Sequence, residues 1–588
     1  EAGEHFTPRE VIDLMTHIIF DPIKDNLPPV MTIYDPACGS GGMLTESQNF
    51  IKDEDGEIKA KGDVLLYGKE VNPETYAICK SDMMIKGNNP ENIKYGSTLS
   101  VDDFAGIKFD FMLSNPPYGK SWASEQKYIK DGKDVIDSRF IVNLADYWGN
   151  KSDVDATPRS SDGQLLFLME MVGKMKSSSS NGIGSRIASV HNGSSLFTGD
   201  AGGGESNIRR YIIENDLLDA IIQLPNNLFY NTGITTYIWL LSNNKAQNRK
   251  GKVQLIDAND LYSKLRKNLG DKNCELEPKH ISKIMEVYSK FQTCDDEIDG
   301  KKISSKIFDN SDFGYYKVNI ERPKRLKAQF RDDLIETLKY DKTLEEAMIW
   351  CEQEYKEECY NDLTKYKKAI EEHLDKNDIE LNTKQLKSLL SKELWKKHKM
   401  LVDTAKLLKE KIGTTTYDDF NIFKEKVEKI LKEHKLSLSA SEKNMILNAV
   451  SWYDETAQKV IKKISKISGD KLEKLCENFG CEENELCDFG YYPTGKKDEF
   501  VEYESDTDLR DSENIPLKDD IYKYFLKEVK PHVQEAWINL DSTKIGYEIS
   551  FNKYFYTHKP LRSLEEVGKD IVELENASDG LIKEILGL

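Results

Sequence analysis

Short apolar runs alternate with amphipathic segments along the first 260 residues of the chain. The runs are rich in Ile, Val, Leu, Phe and Tyr and are bounded by Gly, Pro, Asn or Asp, a pattern that predicts buried strands. Seven such strands are predicted: Met31–Asp35, Val64–Glu70, Phe109–Ser114, Ile183–Val190, Leu218–Leu224, Thr235–Leu241 and Val253–Asp257. Helical patterns such as Pro73–Lys86 and Gln164–Lys174 lie between them. This alternation indicates an α/β fold with a doubly wound, mostly parallel seven-stranded sheet covered on both faces.

Two segments of this region have the composition of loops. Lys176–Ser185 (KSSSSNGIGS) is too rich in Ser and Gly to hold a helix. Thr198–Ser206 (TGDAGGGES) is glycine-rich and precedes a helical stretch that begins at Asn207. Because ligands of parallel sheets bind at the carboxyl ends of the strands, we expect the segments that follow the strands to carry the chemistry.

The pattern changes near residue 320, where Lys and Glu become dense and Gly becomes rare. Apolar residues recur there at helical spacing, as in Leu386, Leu389, Leu390 and Leu394, and in Phe423, Val427, Ile430 and Leu431. Such a stripe fits amphipathic helices that pack on each other, which we favour, and fits equally a helical arm that docks a partner subunit.

After residue 480 Gly, Pro, Tyr and Phe are frequent. We therefore predict a domain over 1–260, a connecting segment over 261–335, a Lys/Glu-rich helical region over 336–480 and a C-terminal assembly segment over 481–588.

Composition narrows the class of protein. The 588 residues include 83 basic and 102 acidic residues, for a formal net charge of −19. This balance argues against a protein that binds nucleic acid over its whole surface, because phosphate binding needs clustered Lys and Arg. No apolar run approaches the roughly 18 residues that a membrane span needs.

The cysteines indicate the compartment. Nine of them are scattered without a paired framework, which fits a reducing compartment and predicts a cytoplasmic protein. Cys476, Cys481 and Cys487 cluster, but they lack the tight pairs typical of zinc sites, so no metal is predicted.

The segment DPACGSGG, Asp35 to Gly42, follows one predicted strand and precedes a helical stretch. Its glycines allow a sharp turn and a close approach of the backbone to a ligand. Glu70 ends the next predicted strand, where a carboxylate can accept hydrogen bonds from two ribose hydroxyls. Each feature alone fits an ordinary strand end, but together they indicate an adenosine-containing cofactor.

The segment NPPY, Asn115 to Tyr118, follows the strand FDFMLS. Its two prolines fix the backbone and remove two amide donors, which leaves the Pro116 carbonyl with little local competition. Asn115 offers a side-chain carbonyl beside it, and two acceptors aimed at one point suit an exocyclic amino group. Tyr118 supplies a flat face on which a base can stack. An isolated NPPY is more often a plain turn, but after a strand beside a cofactor site it indicates a site for an amino group.

These motifs together resemble a known family. DPACGSGG with NPPY is similar to the amino-methyltransferases of DNA that use S-adenosyl-L-methionine, and EHFTPREVIDLM (Glu4 to Met15) resembles the methylation subunit of type I restriction-modification systems. Further similar segments are NGSSLFTGDAGGGESNIRRYIIEND (192–216), LPNNLFYNTGITTYIWLLSNNK (224–245), FGYYKVNIERPKRL (313–326), DTDLRDSENIPL (506–517) and KIGYEISFNKYFY (544–556). The resemblance covers the first 330 residues and about the last 90, and motifs in this order are highly specific.

The resemblance implies a Rossmann-like methyltransferase domain over 1–260 and a set of site residues. S-adenosyl-L-methionine would contact Glu4, His5, Phe6, Thr7, Pro8, Arg9, Asp35, Gly39, Ser40, Gly41, Gly42 and Glu70. The target base would contact Asn115, Pro116, Pro117 and Tyr118.

Two departures from the family pattern stand out. Ser97, in YGSTL, occupies a position where relatives often carry Asp or Asn against the cofactor adenine, which puts that contact in doubt. Relatives usually have a helical domain ahead of the FTP segment, and we expect it to be absent here, either because it is on another polypeptide or because the sequence is truncated.

The function implied by the resemblance is methyl transfer to the N6 amino group of a flipped adenine in double-stranded DNA. The implied partners are a DNA-specificity subunit, which would bind two copies of this chain, and a restriction (helicase-nuclease) subunit. Two alternatives stay open. One is a stand-alone methyltransferase that acts on another amino or amide group, such as cytosine or a protein glutamine. The other is a truncated, non-catalytic assembly subunit.

Overall fold

The computed structural model describes residues 6–53, 58, 60–556 and 563–574. The described chain divides into two compact units. The first unit contains residues up to 316, residues 516–518 and the residues from 544 onward, and the second contains residues 317–515 and 519–543. The four segments predicted above divide the chain by composition, and that division stays a prediction.

The first unit is built on one ten-stranded sheet. In chain order its strands are β1 Met31–Asp35, β2 Val64–Glu70, β3 Ile93–Tyr95, β4 Phe111–Ser114, β5 Arg186–Asn192, β6 Leu218–Gln223, β7 Thr236–Ser242, β8 Lys252–Asp257, β9 Cys294–Ile298 and β10 Lys301–Asp309. Their order across the sheet is β9-β10-β8-β6-β7-β5-β4-β1-β2-β3. Parallel pairs join β1 to β2 and to β4, β2 to β3, β4 to β5, and β6 to β8. Antiparallel pairs place β7 between β5 and β6, β10 beside β8, and β9 beside β10.

The predicted α/β fold class is confirmed, and the sheet is larger than predicted. All seven predicted strands lie in it, with ends shifted by at most a few residues. The three strands that the pattern did not reveal are β3, β9 and β10. β3 has only three residues, β9 alternates half-buried and exposed positions at the edge of the sheet, and β10 beside it buries only Ile303 and Ser305, so none of the three carries a continuous apolar run.

Helices cover both faces of the sheet. They are α1 Arg9–Phe20, α2 Gly42–Lys52, α3 Pro73–Ile85, α4 Gln164–Gly173, α5 Gly204–Glu214 and α6 Pro278–Lys290. One buried apolar cluster contains Ile33 with residues of α1, α2, α3 and α6. A second contains the neighbouring Tyr34 with residues of α4 and α5. Because adjacent strand residues point to opposite faces, these two cores confirm the doubly wound arrangement.

The two loop segments need correction in detail. Lys176–Ser185, predicted to hold no helix, contains one helical turn over Ser178–Asn181. The Ser177 hydroxyl accepts the Ser179 N–H at its start and Gly182 ends it at φ +81°, so capping outweighs the weak propensity of serine. Helix α5 begins at Gly204, earlier than the predicted Asn207. A Cβ atom on Gly204 would lie 1.7 Å from the Thr157 carbonyl oxygen, so only glycine fits at that helix start.

Short paired strands complete the first unit. They are Lys130–Asp131 with Asp134–Val135, Ile141–Ala145 with Lys151–Asp155, and Ser263–Leu269 with Lys272–Glu275. Further strands, Gly314–Glu321, Asp511–Pro516 and Trp537–Tyr547, lie near the points where the chain passes between the units. Of the described helices, none is both long and apolar enough to cross a membrane.

The second unit is helical with small sheets. Its longer helices are α7 Glu345–Tyr355, α8 Lys367–Lys376, α9 Lys392–Ile412, α10 Phe420–Glu433, α11 Ala440–Ala449 and α12 Asp470–Phe479. Leu326–Ala328 pairs with Ser451–Tyr453, and Glu499–Tyr503 pairs with Ile461–Lys466 and Tyr492–Pro493. Most of the predicted apolar stripe is buried: Leu389, Leu390, Phe423, Val427 and Leu431 lie in two cores of this unit, as helices that pack on each other require.

Candidate active site

The turn that follows β1 depends on glycine. Gly39 and Gly41 have φ values of +55° and +83°, in the left-handed region that favours glycine. A Cβ atom on Gly41 would lie 2.8 Å from both Cys79 Sγ and Met83 Cε of α3. The DPACGSGG segment therefore turns sharply enough for α2 to start directly over β1, packed closely against α3.

Asp35 ends β1 as a buried carboxyl group. Its Oδ1 accepts hydrogen bonds from Ser114 Oγ at 2.7 Å and from the Ala37 N–H at 3.0 Å. Burial raises the pKa of Asp35 to about 7, against the lowering effect of these two hydrogen bonds and with a smaller raising effect from Glu70. Because Ser114 ends β4, this contact joins the ends of two adjacent parallel strands.

Glu70 ends β2 and is held by the backbone on both sides. Its Oε2 accepts the Gly39 N–H at 2.9 Å, and its Oε1 accepts the Asn72 N–H at 2.7 Å. A carboxylate oxygen has two lone pairs, so each oxygen keeps acceptor capacity for a ligand. Glu70 is thus fixed against the glycine turn and retains the acceptors that the sequence predicts for ribose hydroxyls.

Asn115 follows β4 and meets the segment ahead of α1. Its Nδ2 donates to Thr7 Oγ1 at 3.1 Å. Its Oδ1 is buried, and no donor among the described residues lies within hydrogen-bond distance of it. Unsatisfied buried acceptors are rare in folded proteins because each costs free energy, so this oxygen requires an explanation.

These groups surround one cavity of about 370 Å³. The predicted site residues that line it are Phe6, Thr7, Asp35, Gly39, Ser40, Gly42, Glu70, Asn115 and Pro117. The predicted residues Pro8, Arg9, Gly41, Pro116 and Tyr118 do not line it, while Glu4 and His5 lie outside the described residues. The sequence motifs therefore converge on one space at the carboxyl ends of β1, β2 and β4.

The predicted residues outside the cavity wall have other surroundings. Arg9 extends away from it, with its Nη2 atom 3.1 Å from Glu46 Oε2 on α2. Pro8 directly precedes α1 at φ −56°, a conformation that suits proline at a helix start. Tyr118 is only 5% exposed, and burial raises the pKa of its hydroxyl. Their roles in ligand binding stay predictions.

Other residues complete the cavity wall without having been predicted. They include Ile12, Met43, Lys69, Asn72, Thr75, Ser97, Thr98, Lys120, Phe167 and Asn231. Lys69 is buried and pairs with Asp103, and Thr98 Oγ1 donates to the Pro36 carbonyl at 2.5 Å. Ile12, Ser97, Thr98 and Asn231 lie in segments that were compared with the family, so a sequence signal was available for these four and not for Phe167 on α4.

Comparison with known proteins assigns the family. The model of the N-6 DNA methylase family matches residues 1–330, more than half of the chain. The chain belongs to the N-6 DNA methylase family. The predicted resemblance is thereby confirmed at the level of the family, and the motifs that carry it are those that surround the cavity.

Individual relatives of the chain carry related names. The chain is 31% identical over 299 residues to the type I restriction enzyme MjaVII methylase subunit of Methanocaldococcus jannaschii, covering 50% of this chain and 45% of that protein. It is 29% identical over 296 residues to the HindI methylase subunit of Haemophilus influenzae, covering 50% of this chain and 57% of that protein. The chain thus spans about half the length of the curated relatives it matches.

Among solved structures, the chain is similar to a type I restriction-modification system methyltransferase subunit from Streptococcus thermophilus. The sequence identity is 26% and the TM-score is 0.40, and the match covers 53% of this chain and 57% of that one.

The buried Asp35 predicts a pH-dependent stability. Because its pKa is about 7 in the folded chain and near 3.8 unfolded, the folded chain retains a proton between these values that the unfolded chain loses. Stability contributed by this group therefore falls as pH rises through that window. We expect Asp35→Asn to remove this loss, so that the variant gains free energy of unfolding relative to wild type from pH 4 to pH 8, by at most about 4 kcal/mol.

Urea unfolding of the full chain across this pH range measures the difference. Asp134→Asn, a change at an exposed carboxylate of the same unit, is the matched control. Its free energy of unfolding relative to wild type should not increase with pH. A constant difference between Asp35→Asn and wild type from pH 4 to pH 8 would contradict the assignment.

Proposed function

We propose that this chain transfers a methyl group from S-adenosyl-L-methionine to the N6 amino group of an adenine flipped out of double-stranded DNA. The observation that supports this most directly is the buried Asn115 Oδ1, an acceptor without a donor among the described residues, at the wall of a cavity. An amino N–H from a substrate would satisfy it. Membership of the N-6 DNA methylase family favours adenine as the base that carries this amino group.

The cavity suits the proposed cofactor. Its volume of about 370 Å³ lies within the usual range of small-molecule sites. A Cβ atom on Gly39 or Gly42 would meet no atom within 4 Å, so the space beside these glycines is open to a ligand. Glu70 would accept hydrogen bonds from the ribose hydroxyls, while its bonds to the Gly39 and Asn72 N–H groups hold it in place. S-adenosyl-L-methionine, when bound, would supply the methyl group from its sulfonium sulfur.

The chain's own residues would orient the amino group. Asn115 Oδ1 would accept one N–H, and the Pro116 carbonyl would accept the other, since the following Pro117 has no N–H to compete for it. Pro116 is buried outside the cavity wall, so this second contact stays a prediction. Two such hydrogen bonds favour a pyramidal nitrogen whose lone pair is available, and they strengthen as positive charge develops on that nitrogen. The nitrogen then loses a proton to water, so positioning rather than a strong base supplies the acceleration.

The base would have to leave the duplex to reach the cavity, at a cost of a few kcal/mol. Stacking of the base on Tyr118 would offset part of this cost by about 1–3 kcal/mol. Tyr118 is buried behind the cavity wall, so this stacking stays a prediction.

The proposed assembly follows the relatives, which are named as methylase subunits of type I restriction enzymes. We propose that this chain works in such a complex with a DNA-specificity subunit and a restriction subunit, with two copies of the chain for each specificity subunit. The acidic balance of the chain fits this division, because a partner would then supply the sequence recognition.

Asn115→Ala tests the amino-group site. We expect a loss of about 10²–10³-fold in methyl transfer, because one preorganised hydrogen-bond partner of the developing charge is removed. Affinity for S-adenosyl-L-methionine should stay within about twofold. Asn115→Asp keeps an oxygen acceptor in the same place and should retain part of the activity. The measurement is incorporation of labelled methyl groups into duplex DNA by the chain co-expressed with its specificity subunit.

Methyl transfer by Asn115→Ala at the wild-type rate would remove Asn115 from the reaction. Label that enters protein and not DNA would instead support the stand-alone methyltransferase with another acceptor. If neither DNA nor protein is labelled by the wild-type complex, the non-catalytic assembly subunit is the better description.

Glu70→Ala tests the ribose contact. We expect affinity for S-adenosyl-L-methionine to fall by about 10- to 100-fold, since hydrogen bonds to a charged acceptor contribute about 1.5–3 kcal/mol. Isothermal titration calorimetry measures it, and thermal unfolding of the same samples checks that the fold survives the loss of the contacts to Gly39 and Asn72. Glu74→Ala, at an exposed carboxylate in the first turn of α3, is the control and should bind normally. Unchanged affinity of Glu70→Ala would exclude the ribose role.

A further inference from the structure

A basic hairpin contrasts with the acidic balance of the chain. Its two strands are Ser263–Leu269 and Lys272–Glu275, which pair only with each other. The first strand carries three cations, Lys264, Arg266 and Lys267, and all three are exposed. Apart from Leu265, which is half-buried, every residue from 264 to 270 is exposed, so this arm of the hairpin packs little against the core.

The pairing register pushes the cations outward. Lys264 lies opposite Cys274 and Leu269 lies opposite Lys272. The four residues Leu265 to Asn268 therefore face Asn273 alone, which makes a pronounced bulge in the first strand. Arg266 and Lys267 are in this bulge, where they are free of the ladder and open to solvent. We call residues 264–269 the basic arm.

The cations of the basic arm have no ion-pair partner among the described residues. Lys272, on the other strand, is buried and pairs with Glu10 at the start of α1, so its charge is already compensated. Glu275 on the second strand and Asp271 in the turn before it are exposed, so the carboxylates of the hairpin lie outside the basic arm. Three unpaired cations within four residues are a local electropositive feature on a chain of net charge −19.

The hairpin is anchored to a loop that reaches the cavity. The Asp271 N–H donates to the Tyr230 carbonyl at 2.8 Å, and the Asn273 N–H donates to the Asn227 carbonyl at 3.1 Å. Lys272 Nζ donates to the Leu228 carbonyl at 3.0 Å. The next residue of this loop, Asn231, lines the cavity that also contains Asn115. The basic arm pairs with the strand that carries these anchors, so we infer that it lies close to the loop that reaches the cavity.

We propose that the basic arm binds the phosphate backbone of the DNA strand that presents its base to the cavity. This inference rests on the proposed function, because a base that enters the cavity leaves its flanking phosphates at the rim. A guanidinium can bind a phosphate through two parallel N–H bonds, as Arg266 is placed to do, and Lys264 and Lys267 add point charges beside it. The Asn268 amide adds a neutral donor of the kind that also binds phosphate.

The test is the salt dependence of DNA binding by the full chain. A fluorescein-labelled duplex of 30 base pairs, without S-adenosyl-L-methionine, is titrated by fluorescence anisotropy between 20 and 200 mM salt. For Arg266→Ala/Lys267→Ala we expect about tenfold weaker binding at 50 mM salt and a slope of log K against log salt smaller by about 1.8, because each phosphate contact contributes about 0.9.

The matched control is Lys250→Ala/Lys252→Ala. It removes two positive charges just before and at the start of β8, where Lys252 is paired with Asp309. The cavity lies at the other end of the parallel strands, where they finish. This control should bind with the wild-type slope. Asn115→Ala should also keep that slope, since its change is confined to the amino-group site.

Three outcomes would overturn the proposal: a wild-type slope for Arg266→Ala/Lys267→Ala, an equal loss in the control, or no measurable DNA binding by the wild-type chain at 20 mM salt. A slope of log K against log salt that is unchanged in the variant would favour an acidic protein as the partner of the basic arm. If the slope falls as expected while the wild-type complex methylates no DNA, the proposed reaction fails and the nucleic-acid surface stands. If the wild-type complex methylates DNA while the variant keeps the wild-type slope, the proposed reaction stands and the role of the basic arm in DNA binding fails.

Discussion

The Ser114 hydroxyl donates to the buried Asp35 carboxylate at the point where two neighbouring parallel strands end. This contact decides the geometry of the whole site, because the DPACGSGG turn follows Asp35 and NPPY follows Ser114. A buried carboxyl group is costly unless it is hydrogen-bonded or protonated, and here both apply, as its pKa of about 7 indicates. The strand ends are therefore held in register, and the two motifs share one cavity.

Further hydrogen bonds fix the other residues of the site around this point. Glu70 ties the end of β2 to the Gly39 N–H, and Thr7 holds the amide of Asn115. Asn115 Oδ1, the oxygen on which the proposed reaction depends, is among the buried side-chain atoms that have no hydrogen-bond partner in the part of the chain that the structure describes. Energetically this is the expected distribution, since the fold satisfies the groups that position the site and leaves unsatisfied the acceptor that a substrate would use.

The local charge of the basic arm differs from the net charge of the chain. The net charge of −19 makes the chain as a whole a poor match for DNA, yet the uncompensated cations of the basic arm lie beside the loop that contains Asn231. A local cluster near the rim can guide a phosphate backbone without a strongly basic protein, because screening limits the influence of distant carboxylates to about 10 Å at ordinary salt. The overall charge alone would have led to the opposite expectation about nucleic acid.

Local patterns determined the family motifs, the seven central strands and the α/β class, because apolar periodicity and glycine or proline punctuation act over a few residues. They did not reveal β9, whose charged residues suit an exposed sheet edge, or β10, which has no continuous apolar run, or the helical turn at Ser178–Asn181, which depends on capping. The bond between Thr7 and Asn115 joins residues 108 positions apart, and the hairpin that carries Arg266 is anchored to a loop more than 40 residues earlier. Such long-range contacts form only when the sheet brings its strand ends together, because the local sequence around one residue does not specify its distant partner. The sequence therefore determined which chemistry the chain can carry, and the tertiary structure decided which acceptor is left open and which cations lie near the rim.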